Sequence, residues 1–514
     1  MSMRGVYTRV VEIRQKIFTE VARMAYEGGD YAGTLVDLPY KIIPGEVATY
    51  RESVFLERAI VEERLRLAMG LPLRDMTKHV LVSEGVEDCA VAEKYYDPPL
   101  LNIIKVACSA CPENEVRVSD ACQGCLAHPC TEVCPKDAIT MVQGRSRIDP
   151  GKCIQCGRCA NTCPYGAIVK LERPCAKACG VDAISSDELG RADIDHDKCV
   201  SCGMCMVSCP FGAIADKGEI FQTINAIKSG VPVYAAVAPA FVGQFGKELT
   251  SEKMRAAFRE LGFADVVEVA VGADLCTIEE ARDFLKEVPD KQPFMATSCC
   301  PAWYSMVQKC FPKLAPYISM ALTPMVLTGR LIKKKYPGCK VVFIGPCSAK
   351  KLEASRKEIR SDIDFVLTFE EVRGMFKAKN VDFAALEPGE ELSASSADGR
   401  GFAVSGGVAQ AVVNCIKKLQ PSREVKVAHA EGLDQCRQLM KDAGKGLYDG
   451  YLLEGMACPG GCVGGAGIMQ SPTKSKGQVM LSMKKASCKN ALDSDYREIL
   501  PELEEKDLTV PSQG

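Results

Sequence analysis

The sequence has almost no net charge and no long apolar run. Its 64 Lys and Arg residues nearly balance 66 Asp and Glu residues, which leaves a formal net charge of -2 over 514 residues. Such a balance offers no electrostatic footprint for nucleic acid or for an acidic membrane surface. No apolar stretch could span a bilayer, and charged amphipathic sequence, not an apolar signal core, follows Met1-Ser2-Met3. We therefore expect a cytoplasmic protein that binds neither nucleic acid nor membrane.

Cysteine is nearly missing from the first hundred residues, which contain only Cys89. Apolar side chains recur there at helical spacing over 6–24 and again over 55–69. Because this part of the sequence holds no ligand set, we expect residues 1–100 to form a small helical region used for packing or docking.

Elsewhere cysteine is abundant, with 28 in the chain and sixteen of them between Cys108 and Cys209. In a chain without an export signal thiols stay reduced, so clustered cysteines indicate metal ligands or catalysts. Over 108–217, Cys, Gly and Pro interrupt short apolar pieces, and continuous periodicity is poor. This stretch is expected to fold around something other than its own side chains.

Two cysteine runs share one spacing, and each ends in Cys-Pro. Three thiolates of such a run lie on one tight loop around a 4Fe-4S cubane, and the fourth reaches the neighbouring cubane of a pair. Zinc is the alternative, but structural zinc sites usually take two spaced pairs of ligands. The runs are Cys153-x2-Cys156-x2-Cys159-x3-Cys163-Pro164 and Cys199-x2-Cys202-x2-Cys205-x3-Cys209-Pro210.

A third set has two extra residues in its loop, Cys122-x2-Cys125-x4-Cys130-x3-Cys134-Pro135. We expect it to pair with the 153–163 run by exchange of fourth cysteines. His128, inside the enlarged loop, either tunes a cluster through a hydrogen bond or is only a loop residue. The predicted ligands are Cys122, Cys125, Cys130 and Cys163 for one cubane, and Cys153, Cys156, Cys159 and Cys134 for the other.

The fragment from Pro174 to Cys179 resembles the second half of a ferredoxin motif whose leading Cys-x2-Cys is missing. Exchange of fourth cysteines predicts one cubane on Cys179, Cys199, Cys202 and Cys205. The unexplained upstream pair Cys108-x2-Cys111 has the missing spacing. We therefore predict a fourth ferredoxin-type cluster; the alternative is a degenerate half-site with two spare thiols. Its ligands would be Cys108, Cys111, Cys175 and Cys209.

After Gly230 the sequence changes to apolar, strand-like runs that alternate with helical stretches, which indicates α/β layering. The expected strands are 231–237, 266–271, 341–344 and 402–404, and the expected helices are 252–261, 278–285 and 410–419. We place the domains at 1–100, 101–220 and 221–475, followed by a helical tail over 476–514.

Three further cysteine motifs lie far apart in the chain. Four of their thiolates suffice for one more cubane, and the glycines after Cys458 would let the backbone approach a bulky inorganic group. The motifs are Thr297-Ser298-Cys299-Cys300-Pro301-Ala302-Trp303, Gly345-Pro346-Cys347-Ser348-Ala349-Lys350-Lys351 and Gly455-Met456-Ala457-Cys458-Pro459-Gly460-Gly461-Cys462.

These motifs resemble the three signature motifs of the iron-iron (FeFe) hydrogenases. Other segments also resemble that family: Ala238-Pro239-Ala240, Gly272-Ala273-Asp274-Leu275 and Ser405-Gly406-Gly407-Val408. The resemblance implies an α/β catalytic domain, the hydrogenase H-domain, preceded by α+β ferredoxin-like cluster-binding domains. Gly345, Met325 and Ala240 depart from the best-known branch of this family. The motif sequences are more similar to the group B branch.

The resemblance implies an H-cluster: a 4Fe-4S cubane joined to a di-iron unit that carries CO, CN and a bridging dithiolate. Its ligands would be Cys300, Cys347, Cys458 and, as the bridge, Cys462. Ala238, Pro239, Lys350 and Met456 would contact the di-iron unit, with Lys350 donating to a cyanide. Without the resemblance, Lys350 would be a surface lysine and Met456 a core residue.

The resemblance also implies a proton route from Cys299 through Glu280, Ser319 and Asp283. A thiol can carry protons because both of its protonation states are accessible near neutral pH. As bare residues, Glu280 and Asp283 at helical spacing would be a solvated helix face.

The implied activity is reversible conversion of protons and electrons to H2. Electrons would come from ferredoxin or flavodoxin through four additional 4Fe-4S clusters, and maturation machinery would supply the di-iron unit. The alternative is a hydrogenase-like iron-sulfur assembly or sensory protein without turnover. The segment Gly464-Gly465-Ala466-Gly467 lacks the spacing and the preceding strand of a dinucleotide fingerprint, so direct use of NADH is not expected.

Seven cysteines fall outside all of these sets. We expect them to be buried structural thiols. They are Cys89, Cys276, Cys310, Cys339, Cys415, Cys436 and Cys488.

Overall fold

Helices form the N-terminal region of the computed structural model, which describes residues 4–356, 359, 361–392 and 395–504. Thr8 and Gly28 set the ends of the first helix: the Thr8 hydroxyl accepts from the Val11 N–H, and Gly28 has φ 76°. The helices expected over 6–24 and 55–69 are confirmed as α1 and α3, whereas α2 is not among the predicted ones. The bounds are α1 (Arg9–Glu27), α2 (Tyr31–Ile42), α3 (Val54–Ala68) and α4 (Val86–Cys89).

The next part contains two ferredoxin-like units, one nested inside the other. The inserted unit (residues 112–173) pairs β2 with β5 and β3 with β4, and the enclosing unit (101–111 and 174–216) pairs β1 with β8 and β6 with β7, all antiparallel. The strands are β1 (Leu101–Ile103), β2 (Glu115–Val118), β3 (Ile139–Val142), β4 (Arg145–Ile148), β5 (Ile168–Leu171), β6 (Ile184–Ser186), β7 (Ala192–Ile194) and β8 (Ile214–Asp216). The helices are α5 (Pro129–Glu132), α6 (Arg158–Thr162), α7 (Pro174–Lys177) and α8 (Met204–Ser208).

The rest of the chain is built on two parallel sheets with strand orders β10-β9-β12-β13 and β11-β15-β14. The strands are β9 (Val233–Val237), β10 (Asp265–Glu268), β11 (Met295–Ala296), β12 (Lys340–Gly345), β13 (Phe365–Thr368), β14 (Lys426–Glu431) and β15 (Tyr451–Met456). The helices are α9 (Ile220–Lys228), α10 (Met254–Glu260), α11 (Ala270–Glu287), α12 (Pro301–Cys310), α13 (Pro324–Lys335), α14 (Ala349–Glu353), α15 (Phe369–Ala378), α16 (Ala397–Gly401), α17 (Gly407–Leu419), α18 (Leu433–Ala443), α19 (Pro472–Lys484) and α20 (Leu500–Glu504).

Two of the expected strands need correction. Residues 402–404 form a turn between α16 and α17, closed by the Val404 N–H donating to the Gly401 carbonyl at 3.0 Å. The run expected over 266–271 divides, because β10 ends at Glu268 and α11 begins at Ala270. Both runs are apolar and buried, and a short buried run has the same composition in a strand, a turn or a helix.

The N-terminal helices share one apolar core with the four-stranded sheet. Ile17 and Leu65 belong to the same buried cluster as Ala235, Val342 and Phe369. The N-terminal region therefore packs as part of the larger body. Across the described residues, no helix combines the length and the apolarity needed to cross a bilayer. Of the predicted C-terminal tail, residues 505–514 lie outside the described part.

Candidate metal centre

Parallel strands of both sheets end at one cavity. β9 leads into Ala238, β11 into the segment before Cys299, β12 into Cys347 and β15 into Cys458. In parallel α/β sheets, ligands bind beyond the carboxyl ends of the strands, which is where these motifs lie. The wall of the cavity includes Ala238, Pro239, Cys299, Cys300, Met325, Cys347, Lys350, Phe402, Met456, Cys458, Gly461 and Cys462.

Four thiols of this wall form the predicted ligand set of the cubane. Burial raises the pKa of Cys300, raises the pKa of Cys347 and of Cys462 to about 12, and raises that of Cys458 well above its ordinary value. Repulsion among the neighbouring thiolates adds to the rise for Cys347, Cys458 and Cys462. Raised pKa values favour the protonated thiols. A bound metal core reverses that preference, because its ligands are thiolates.

The loop that carries Cys462 is shaped for close approach. Gly461 has φ +87°, and a Cβ there would lie 2.5 Å from the Ser405 backbone nitrogen. Only glycine adopts this conformation without strain and leaves this space free. The donor chemistry and the crowded glycine loop therefore fit a bulky iron-sulfur core. This fit is to a core of several metal atoms. Across the described residues, no group of three or more His, Cys, Asp or Glu side chains is arranged to hold a single metal ion.

Lys350 faces the cavity from α14 and pairs with a carboxylate that the sequence analysis missed. Its Nζ lies 2.6 Å from Oε2 of Glu353, and the other oxygen of Glu353 accepts from the Thr323 hydroxyl at 2.6 Å. Burial lowers the pKa of Lys350, but attraction from Glu353 and from the Cys347 and Cys299 thiolates more than offsets this, so the pKa is raised overall. The i, i+3 spacing on a helix is the signal that could have found Glu353.

Glu280, which is buried, and Cys299, which is partly buried, are acids on neighbouring segments. The Glu280 Oε1 accepts from the Ser298 N–H at 2.9 Å and from the Ser298 hydroxyl at 3.2 Å, and Oε2 has no hydrogen-bond partner among the described residues. Burial raises the pKa of Glu280 to about 8. Burial, followed by the charge of Glu280, raises the pKa of Cys299 well above its ordinary value.

Ser319 is the next residue of the predicted proton route after Glu280. The Ser298 hydroxyl donates to the Ala321 carbonyl at 3.0 Å, and the Ser319 hydroxyl accepts from the Ala321 N–H at 3.1 Å. Ser298, absent from the predicted route, therefore connects Glu280 to the segment of Ser319. Asp283 is half-buried on α11, and burial raises its pKa. Among the described residues, no hydrogen bond joins Asp283 to Ser319.

One predicted ferredoxin-type set lies directly beside the cavity. Cys179, Cys199, Cys202 and Cys205 are close enough for their thiolates to repel one another, and Cys202 also repels Cys347 and Cys458. A Cβ on Gly203 would lie 2.7 Å from Ala466 and 3.2 Å from the Ser348 hydroxyl. The loop of this cysteine set is therefore packed closely against the cavity loops, with the backbone of Gly203 against the side chains of Ala466 and Ser348.

The fourth predicted set also converges. Cys108, Cys111, Cys175 and Cys209 line a common cavity between α7 and β8. Arg173, 3% exposed, donates to the Cys111 carbonyl at 2.9 and 3.1 Å and to the Gly190 carbonyl at 2.7 Å. Cys175 is also electrostatically coupled to Cys205 of the previous set. Four residues that span 102 positions of sequence thus meet at one place.

The two sets of the inserted unit occupy its small core. Cys130, Cys134, Cys153, Cys159 and Cys163 belong to one apolar cluster there. Ser146 marks one predicted site, because its hydroxyl contacts the Cys130 thiol at 3.2 Å and its N–H donates to Cys122 at 3.4 Å. Cys159 is close to Cys153 and Cys156, which belong to the other site. His128 precedes α5 with φ 39°, and its two proposed roles both stay open.

The seven remaining cysteines behave as expected with two exceptions. Cys310 is exposed, because the buried stripe of α12 ends at Val307 and the last turn faces solvent. Cys488 is partly exposed. The buried members are Cys89, Cys276, Cys339, Cys415 and Cys436.

Comparison with known proteins assigns families to two parts of the chain. The model for the iron only hydrogenase large subunit, C-terminal domain, matches residues 231–466. Two models of 4Fe-4S binding domains match residues 146–168 and 192–215. The first match covers the whole cavity wall, and the other two cover the runs that begin at Cys153 and Cys199.

Several curated relatives are hydrogenases. Iron hydrogenase 1 of Clostridium pasteurianum is 30% identical over 65% of this chain and 67% of its own length. The periplasmic Fe hydrogenase large subunit of Nitratidesulfovibrio vulgaris is 33% identical over 62% of this chain and 85% of its own length. The NADP-reducing hydrogenase subunit HndD of Solidesulfovibrio fructosivorans is 30% identical, and the chain spans 55% of that protein.

More distant relatives carry other names. Cytosolic iron-sulfur assembly component 3 of Bos taurus is 26% identical over 43% of this chain and 58% of its own length. The hydrogenases are more similar and align over more of the chain, and the family model covers all four cavity cysteines. The chain therefore belongs to the iron-only hydrogenase family, with 4Fe-4S binding domains ahead of the family domain.

Proposed function

We propose that the protein is a hydrogenase that interconverts H2 with two protons and two electrons at an H-cluster. The observation that carries the proposal is the cavity wall, which combines four partly buried cysteines with Cys299 and Lys350. A cubane alone needs the four cysteines but neither the extra thiol nor the lysine. The bound H-cluster would supply a di-iron centre at which H2 is formed or split.

In this proposal the cavity residues have different roles. Cys300, Cys347, Cys458 and Cys462 would hold the cubane, and Cys462 would link it to the di-iron unit. Lys350, kept charged by Glu353 and the neighbouring thiolates, would hold the di-iron unit by donating to a cyanide, and Met456, Ala238 and Pro239 would pack around that unit. The apolar wall excludes water from the rest of the cavity.

Protons would move between Cys299 and the surface through Glu280, Ser298 and Ser319, with Asp283 as the proposed outer carboxylate. A pKa of about 8 suits Glu280 to this task, since it can both take up and release a proton near neutral pH. Ser298 keeps the carboxylate oriented beside the Cys299 segment.

Electrons would travel along four ferredoxin-type clusters. The electrostatic interaction of Cys202 with Cys347 and Cys458 supports the enclosing unit as the last step before the cavity. The interaction of Cys175 with Cys205 supports the fourth site as the step before that. The inserted unit would receive electrons from ferredoxin or flavodoxin. Maturation machinery would deliver the di-iron unit, and the reduced thiols favour work in the cytoplasm.

Infrared spectroscopy of anaerobically matured protein tests this proposal. We expect CO and CN bands together with H2 production from a chemically reduced electron carrier. Cubane signals without any CO or CN band would contradict it.

The second candidate is an iron-sulfur assembly or sensory protein without turnover, and the relative named as a cytosolic iron-sulfur assembly component favours it. The same spectrum separates the two functions, because a protein that holds only cubanes has no diatomic ligands. The Lys350–Glu353 pair beside Cys299 supports the hydrogenase over this candidate.

A further inference from the structure

The N-terminal helical region closes over the fourth cluster site. Arg51, just before α3, donates through Nη2 to the Ala107 carbonyl at 2.9 Å and to the Phe211 carbonyl at 3.0 Å. Its guanidinium also lies 5.4 Å from the centroid of the Phe211 ring. One side chain thus ties the segment that enters Cys108 to the segment that leaves Cys209.

Arg64, on α3 itself, approaches the same segment more deeply. It is 7% exposed, and its Nη2 lies 2.7 Å from the position that a Cβ of Gly212 would take. Ile60 and Leu67 of the same helix belong to the apolar cluster that contains Cys175 and Cys209. The helix therefore presents a buried cation to the loop that follows a predicted cluster ligand.

No direct partner among the described residues neutralises this cation: only the more distant charges of Tyr50, Cys209 and Glu370 attract it. Within the described residues, the structure gives the Arg64 guanidinium neither a hydrogen bond nor an ion pair. The nearby carboxylate of Glu370 is already paired with Arg14. Burial, followed by repulsion from Arg14, lowers the pKa of Arg64 to about 10, so it remains charged at neutral pH. An unpaired buried charge is costly and calls for a compensating charge of opposite sign.

Four thiolates around an iron-sulfur cubane carry that opposite charge. Such a cluster is anionic when oxidised and gains one more negative charge when reduced, and its potential depends on net charge and surroundings. A buried cation at Cys209 stabilises the reduced form more than the oxidised form.

We infer that Arg64 is a positioning residue for the fourth cluster, that it balances the cluster's charge, and that it raises the cluster's reduction potential. The N-terminal helical region then serves as an electrostatic cap on the electron route. This inference rests on the proposed fourth cluster at Cys108, Cys111, Cys175 and Cys209.

The test uses full-length protein with reconstituted clusters and a redox titration followed by electron paramagnetic resonance. The signal of the fourth cluster is identified first, as the one lost in Cys108→Ala/Cys111→Ala. In Arg64→Met and Arg64→Gln we expect the midpoint of that signal alone to move to lower potential. Arg64→Lys should keep most of the wild-type midpoint, because it keeps the charge.

Arg58→Met is the matched control. Arg58 lies on the same helix and donates to the Ile43 and Gly45 carbonyls, away from the cluster segments. It should leave every midpoint unchanged. If both neutral Arg64 variants lose the fourth cluster while Arg64→Lys retains it, the requirement for charge is supported.

Two results separate failure of the inference from failure of the fourth cluster. The role of Arg64 is overturned if the midpoint is unchanged in both neutral variants, or if Arg64→Lys loses the signal as the neutral variants do. Neither result argues against the fourth cluster in the wild-type protein. If wild-type protein and Cys108→Ala/Cys111→Ala have equal iron content and identical spectra, the cluster is absent and the inference falls with it.

Discussion

Cys299 is the one cavity thiol that we leave unligated. It adjoins Cys300 in sequence, yet its electrostatic neighbours include Glu280 and Cys276 of α11. A residue in this position can carry protons without holding iron.

For Cys299→Ser we expect hydrogen turnover to fall by orders of magnitude while the infrared bands of the di-iron unit stay in place. The serine hydroxyl is a much weaker acid than a thiol, so proton transfer is interrupted and no ligand is removed. Cys462→Ser should instead prevent stable di-iron incorporation. Cys415→Ala, which removes a buried thiol of α17, is the control and should retain turnover. High activity in Cys299→Ser would show that protons take another route.

Glu280 makes the stability of the protein depend on pH. Its pKa is about 8 in the folded protein and 4.5 without burial, so between these values the folded state binds a proton that the unfolded chain lacks. Stability should therefore fall as pH rises through this window, with a slope of up to about 1.4 kcal/mol per pH unit from this group. Below the window its contribution is fully present.

Glu280→Gln should remove that part of the pH dependence. Thermal midpoints of wild type and variant, measured from about pH 5 to pH 8, should converge at low pH and diverge at high pH in favour of the variant. Glu287→Gln is the control on the same helix, since Glu287 is partly exposed and pairs with Lys291. Parallel curves for Glu280→Gln and wild type would exclude a raised pKa at this position.

At the scale of elements, the loops after the parallel strands carry the site. Each loop is short and tightly packed, and the one after β15 turns at two successive glycines, Gly460 and Gly461, both at positive φ. Strands can tolerate changes on their surfaces, but these loops have little spare volume.

Gly461→Ala should reduce incorporation of the cavity cubane and lower thermal stability. The added Cβ meets the Ser405 nitrogen at 2.5 Å and occupies a positive φ that disfavours alanine. Gly477→Ala in α19 is the control, because nothing lies within 4 Å of its added Cβ and alanine favours a helix by about 1 kcal/mol. Iron content and thermal midpoints report both effects. Equal iron content in the two variants would show that the loop can relax.

The sequence analysis found the features that depend on local spacing. Periodicity predicted α1 and α3. The cysteine intervals also grouped Cys108 with Cys209, which line one cavity although they are far apart in the chain, and the ligand sets themselves stay predictions. The sequence analysis missed Ser298, because the role of that residue comes from contacts between separate segments. It also missed Glu353, although the i, i+3 spacing from Lys350 on α14 was a local signal. It also placed residues 402–404 in a strand, since an apolar run at a cavity wall has the same composition as one inside a sheet.

At the scale of the whole molecule, the cysteine sets predict the metal content. Five cubanes and one di-iron unit amount to about 22 iron atoms in matured protein. Cys108→Ala/Cys111→Ala should lower this to about 18, because one cubane loses half of its ligands. Analysis of iron and acid-labile sulfide measures both values. A reproducible wild-type value of about 14 iron atoms would mean that two of the ferredoxin-type sites are empty.

The nesting of the two ferredoxin-like units also orders events during synthesis. Every predicted ligand of the inserted unit precedes residue 164, whereas the enclosing unit pairs β1 with β8 and needs ligands from Cys108 to Cys209. Chains emerge from the ribosome N-terminus first, and domains generally fold as units. The inserted unit can therefore close around its clusters before the enclosing unit is complete. Cys108 and Cys111 remain without their full set of predicted partners until Cys175 and finally Cys209 have been translated.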